Sequence, residues 1–276
     1  MSNRQKLLAP LDYYFWVGTL TFGTLICIIA PDWIVFGLRR IPGMSGLQLS
    51  PIVTTAINQA ASNRSAFIGS INTNISNLFA TKKSPGSIAV GAAEGNMTYA
   101  GAATGIYYGH TDPGNHVTNR GFCSWNKAAG MSVSEADRRC LSALQRQAAL
   151  TEQKLIASGL DPKQHAVALV MGVDLCNQSN SACPNFALNY KNALRQGKTG
   201  ESAFIWARVE AFRSPSTGVL DASGLFGICA TQSYYIRKLA LLAPYSEQWR
   251  WNCIALDQGR RIREASKALK IQARGQ

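Results

Sequence analysis

The sequence predicts a mainly α-helical domain, with a glycine-rich loop and short hairpin inserted after its first core helix and a single transmembrane helix ahead of it. Three observations carry that expectation. The run from Tyr13 to Ala30, "YYFWVGTLTFGTLICIIA", holds no charged residue, which is the length and character of a membrane span. Beyond Ser132, apolar residues recur at helical spacing between cap signals. Between those regions, Gly101, Gly105, Gly109, Gly114 and Gly121 break up any regular element and suit turns.

Residues 1–12 read as a short tail and 13–38 as the anchor, because "WIVFGL" continues the apolar run after Pro31 and Asp32. Tyr13, Tyr14, Trp16 and Trp33 stand near its ends, where interfacial aromatics belong. A cleaved signal peptide is the rival reading, but no small-x-small site follows the run. Flanking charge gives no orientation, since Arg4 and Lys6 are matched by Arg39 and Arg40. Residues 39–86 are rich in Ser, Thr, Asn and Gly and read as a linker or lead-in, and 87–276 as the main domain.

Within that domain "SIAVGAAEG" reads as a compact helix, capped by Ser84 or Ser87 and stopped by Gly95. Ser132-x-x-Glu135 is a capping box opening a helix that runs to Gly159. Asp161-Pro162 predicts the next start, with proline at the first helical position. "NFALNYKNALRQG" and "GESAFIWARVEAFRSP" give two more helices, and Glu201 suits the first turn of the second. From Arg260 the tail reads as a basic amphipathic helix, most simply a solvated face.

Apart from Cys27 in the anchor, six cysteines remain: Cys123, Cys140, Cys176, Cys183, Cys229 and Cys253. With no CxxC pair and three histidines in the chain, they make a poor metal site. An even set fits three disulfides in an oxidising space; buried free thiols in a cytosolic domain are the alternative. Sequence neighbours suggest Cys176–Cys183, Cys123–Cys140 and Cys229–Cys253. The expected location is the inner membrane, single-pass, with the main domain periplasmic or otherwise extracytoplasmic.

Chemistry concentrates around Glu94, a lone carboxylate after a small apolar run. Held in a dry wall beside a cleft, such a group keeps a proton for a leaving oxygen; its plainer role is to tie down the following loop. The stretch Tyr107-Tyr108-Gly109-His110-Thr111-Asp112-Pro113-Gly114-Asn115 adds aromatic faces and hydrogen-bonding groups suited to sugars. Asp112-Pro113-Gly114 is equally good turn chemistry. Asp174, on an apolar helix, either faces the cleft with Asn177 or bonds helix ends beneath it.

An apolar helix ending in Ala-Glu-Gly, followed by a Gly/Thr/Tyr-rich loop and a helical remainder, resembles the lysozyme-like superfamily. Within it, phage endolysin-type transglycosylases and related muramidases are most similar. The resemblance implies a lysozyme-like helical domain in which Glu94 is the general acid, later base, that cuts a glycan between its sugars. Asp112 is the candidate for orienting water in an inverting hydrolysis, which needs about 6.5–9.5 Å between the carboxyl groups. Without it, Glu94 alone suits a transglycosylase, whose own sugar hydroxyl closes an anhydro ring. Tyr107, Tyr108, His110, Thr111, Asn115 and Asp174 are the candidate substrate contacts.

A formal charge of +13 favours anionic partners. Peptidoglycan or another anionic glycan is the expected one, with the membrane engaged through the N-terminal helix and an envelope protein complex as a further partner. No nucleic-acid motif is present, and no P-loop, GxSxG, HExxH or dinucleotide fingerprint, so no cofactor or metal is expected. A non-catalytic glycan- or protein-binding module of similar architecture is the competing reading.

Overall fold

The computed structural model describes residues 75–112, 116–126 and 128–274. Eight α-helices are described: α1 (Pro85–Ala93), α2 (Val133–Ala157), α3 (Ala166–Gln178), α4 (Phe186–Arg195), α5 (Gly200–Ala211), α6 (Ser223–Thr231), α7 (Ser233–Leu239) and α8 (Glu247–Arg274). A two-residue hairpin, β1 (His110–Thr111) and β2 (Thr118–Asn119), pairs antiparallel with His110 opposite Asn119. The protein is mainly helical, with the hairpin inside the glycine-rich loop, as its sequence predicts.

α1 is buried along its whole length from Gly86 to Ala93, because it is apolar on every side and presents no wet face. Its glycines allow close approach. A Cβ on Gly86 would lie 2.6 Å from the Leu78 carbonyl oxygen, and one on Gly91 would lie 2.6 Å from the Met97 side chain. α1 packs against α8, α8 also against α5, and α2 against α3, while α4 and α5 pair.

The tail helix is longer and more central than its basic composition predicts. α8 begins at Glu247, and Trp249, Cys253, Ile254, Ile262, Ala265, Ala268 and Leu269 bury one stripe of it in the core. Its arginines and lysines occupy the remaining face, apart from Arg261, which is inside. α6 and α7 form a helical hairpin fastened to α8 by Cys229–Cys253. The other bridges are Cys123–Cys140 and Cys176–Cys183, so the neighbour pairing expected from the sequence is the one present.

Not every helix end follows its signal: Ser84 stands at the N-cap of α1 but its side chain makes no capping bond. Ser132 Oγ accepts from the Glu135 N–H at 3.2 Å, but the Glu135 carboxylate turns outward to Arg138 at 2.8 Å and Arg139 at 2.7 Å instead of closing the box. α3 starts at Ala166, later than Asp161-Pro162 predicts. The Asp161 carboxylate accepts the Lys163 N–H at 2.9 Å, a local turn that competes with helix.

The anchor expected over 13–38 lies outside the described residues. Among the described residues no helix is long and apolar enough to cross a membrane. Among the described residues the fold begins ahead of Ser87, with a 3-10 turn at Ile75–Asn77. Leu78 and Phe79, expected in the lead-in, are core residues: the Leu78 carbonyl accepts the Gly86 and Ser87 N–H groups and the Phe79 ring lies against Gly86.

Candidate active site

Glu94 owes its position to the way α1 ends. Gly95 takes a φ of +81°, a conformation glycine adopts at little cost. The Gly95 N–H then donates to the Ala92 carbonyl at 3.0 Å and the Asn96 N–H to the Gly91 carbonyl at 2.9 Å. This paired closure is a Schellman motif. It reverses the chain directly after Glu94 and leaves that side chain at the terminus of a buried helix.

Three helices converge on the carboxylate. Its Oε1 accepts Arg261 Nη2 from α8 at 2.6 Å and Asn177 Nδ2 from α3 at 2.8 Å. Asn177 also donates to the Cys123 carbonyl at 3.1 Å, joining the site to the disulfide-bonded end of the loop. Glu94 Oε2 accepts no hydrogen bond among the described residues, and the side chain remains 15% exposed. One oxygen is therefore fixed and the other is available.

Behind Glu94 runs an alternating chain of charge. Arg261 donates to both oxygens of Asp174, at 3.0 and 2.7 Å. Arg208 reaches Asp174 at 2.8 Å from the other side, and also bonds Gln258 and the Met171 carbonyl. Asp174 and Arg208 are fully buried. Glu94, Arg261, Asp174 and Arg208 sum to zero charge, which is how the interior tolerates four ionised groups. Burial alone would raise the Asp174 carboxyl, but Arg261 and Arg208 outweigh it and hold it below the usual carboxylate range. Burial pulls the Arg261 guanidinium down, yet Asp174 and Glu94 together keep it well above the usual arginine value.

This chain bears on what Glu94 can do. Arg261 is bidentate to Asp174 and only monodentate to Glu94. Glu94 is thus the less committed of the two carboxylates, and a proton on it leaves Arg261 and Arg208 to share Asp174 alone. The expected unpaired glutamate in a dry wall is replaced by one tethered to arginine, with its counter-ion shared.

The loop above is clamped onto α2. Asp137 Oδ2 accepts Tyr107 Oη at 2.5 Å and Lys82 Nζ at 2.7 Å, while Oδ1 accepts the Phe122 N–H at 3.0 Å. Burial and the bond to Asp137 raise the Tyr107 hydroxyl above its ordinary value. Asn96 Nδ2 fastens the same loop to the Gly121 carbonyl at 2.8 Å and to Ser124 Oγ at 2.7 Å. Cys123–Cys140 completes the clamp.

The structure divides the candidate contacts. Tyr108 is 63% exposed, Thr111 is exposed, and His110 Nδ1 lies 3.1 Å from the Ile106 carbonyl. Tyr107 is a buried clamp whose hydroxyl is already engaged, and Asp174 is sealed beneath Arg261; neither presents a surface to a ligand. Asp112 closes the hairpin turn, its N–H donating to the Val117 carbonyl at 3.0 Å and its own carbonyl accepting the His116 N–H at 2.8 Å. Asn115 lies outside the described residues. Glu201 sits in the first turn of α5 and pairs with Arg263 at 2.9 Å. Among the described residues no His/Cys/Asp/Glu group is arranged to hold a metal ion.

Comparison with protein-family models, curated proteins and solved structures gives no match. The chemistry of the site rests on its own geometry. Two residues central to it, Arg261 and Arg208, do not stand out from composition. Their signal is register: Arg208 follows Phe204 by one helical turn, and Arg261 follows Ile254 by two, each on a buried stripe.

Proposed function

We propose that the protein is a membrane-anchored, extracytoplasmic glycan-cleaving enzyme of lysozyme-like architecture. Its substrate would be peptidoglycan, and Glu94 the acid that protonates the glycosidic oxygen. One observation supports this reading above the others: Glu94 is held on three helices through Oε1 while Oε2 accepts no bond from the described residues. Such a carboxylate is oriented before substrate arrives, so none of its alignment is paid for during the reaction. Proton transfer from Oε2 lets the C1–O bond break. The carboxylate then takes a proton from an attacking water or, in a transglycosylase, from the sugar's own hydroxyl. Tyr108, on the exposed side of the clamped loop, offers an aromatic face for a sugar ring.

The tether from Arg261 favours a second reading, a non-catalytic module in which Glu94 locks α1 to α8 while the loop binds glycan or protein. The two separate on Glu94→Gln, because the amide oxygen still accepts from Arg261 and Asn177. Incubation with sacculi should release soluble fragments with the parent chain and none with Glu94→Gln. Anhydro ends would identify a transglycosylase and reducing ends a hydrolase. Equal binding by both proteins with no release by either would establish the module.

A further inference from the structure

We infer that the α6–α7 hairpin is a docking surface for an anionic lipid bilayer. Its inner face is committed to the fold: Phe226, Cys229, Tyr235 and Leu239 are buried, Phe226 packs on Trp249 with ring centres 5.8 Å apart, and Cys229–Cys253 fixes the hairpin to α8. The outer face has the opposite character. Tyr234 and Ile236 are each about half exposed and Leu241 is 99% exposed, with Arg237 and Lys238 exposed between them; Tyr245, half exposed beyond α7, packs on Trp249 with ring centres 4.9 Å apart. Tyr234, Arg237 and Lys238 follow at three- and four-residue steps, so they share one side of α7, and Leu241 follows in the turn just beyond it.

A cluster of exposed aliphatic and aromatic groups of this kind marks an interaction surface. Charge decides the occupant. Between Asp221 and Glu247 the chain carries no carboxylate, and Arg237 and Lys238 are its only ionised side chains there. A second copy of the chain would oppose these two cations to themselves across a two-fold axis. A bilayer with anionic headgroups suits these features together: Tyr234 at the interface, Leu241 in the outer acyl region, and the two cations among phosphates. The disulfide gives the face a fixed shape in advance. The inference does not depend on the chemistry of Glu94.

The test is hydroxyl-radical footprinting of the full chain in nanodiscs of phosphatidylglycerol or of phosphatidylcholine, read by mass spectrometry. Tyr108, remote in sequence and exposed, is the internal control. Docking predicts a several-fold drop in oxidation of Tyr234 and Tyr245 in the anionic discs alone, with Tyr108 unchanged. The Arg237→Glu, Lys238→Glu double variant and high salt should both restore oxidation. Intact disulfides and unchanged helical circular dichroism show that the variant is folded. Oxidation of Tyr234 that matches Tyr108 in both discs overturns the inference. So does protection indifferent to lipid charge, or protection that appears without lipid as protein concentration rises, which would identify a second copy instead.

Discussion

Asp174 holds two guanidinium groups, whereas Glu94 shares only one of them, and this asymmetry separates a structural carboxylate from an available one. Asp174→Asn leaves buried Arg208 with neutral partners only and Arg261 with Glu94 as its one carboxylate. It should cost about 3–5 kcal/mol in urea denaturation. Glu94→Gln, at the partly exposed end of the chain, should cost less than about 1 kcal/mol in the same assay because its acceptor oxygen survives. Acid dependence follows from the same pairing. The Asp174 carboxyl is held below its ordinary value when folded, so its contribution is complete above the unfolded value of about pH 4 and is lost as pH falls through the lower folded value. Glu264 is likewise lowered, where Tyr99 and Lys267 outweigh the upward push of burial, and adds in the same direction. The urea midpoint should therefore stay flat from neutral pH to about 4 and drop below it, and the drop should be shallower in Asp174→Asn.

Among the elements, α1 depends on close packing and α6 does not. A methyl at Gly86 meets the Leu78 backbone, at Gly91 the flexible Met97 side chain, and at Gly227 nothing within 4 Å. Gly86→Ala should thus destabilise most, Gly91→Ala by about 1–3 kcal/mol, and Gly227→Ala should stabilise by about 0.5–1 kcal/mol through helix propensity; thermal melts of the three variants test the order. The loop is a separate case, since its hold on α2 comes from Asp137 and the Cys123–Cys140 bridge across 17 residues. Replacing both cysteines by alanine should remove about 3 kcal/mol on the chain-entropy argument. Hydrogen exchange should then quicken first in residues 118–126, ahead of α4 and α5.

Taken as a whole molecule, the parts legible in the sequence are those governed by local rules. α1, α2, α4 and α5 announce themselves through Gly95, Ser132, Gly159, Gly197 and Pro215, and the disulfides join sequence neighbours. α6 and α7 were not legible, because "GLFGICATQSYYIRKLALL" carries apolar residues on every side, and neither helix has a side-chain cap bond. Glu94 was conspicuous as a carboxylate alone in a small apolar run. Its partners were not, because Arg261 lies 167 residues away and is one of many cations on a helix that reads as solvated. Only the tertiary fold shows that α8 is central and that its inward arginine balances two carboxylates. The proposed chemistry turns on the free oxygen of Glu94. The most direct measurement is mass analysis of soluble products from sacculi treated with parent and Glu94→Gln proteins of matched thermal stability. Glycan fragments from the parent and none from the equally stable variant is the predicted result. Undiminished release by Glu94→Gln would contradict it and move the chemistry away from this carboxylate.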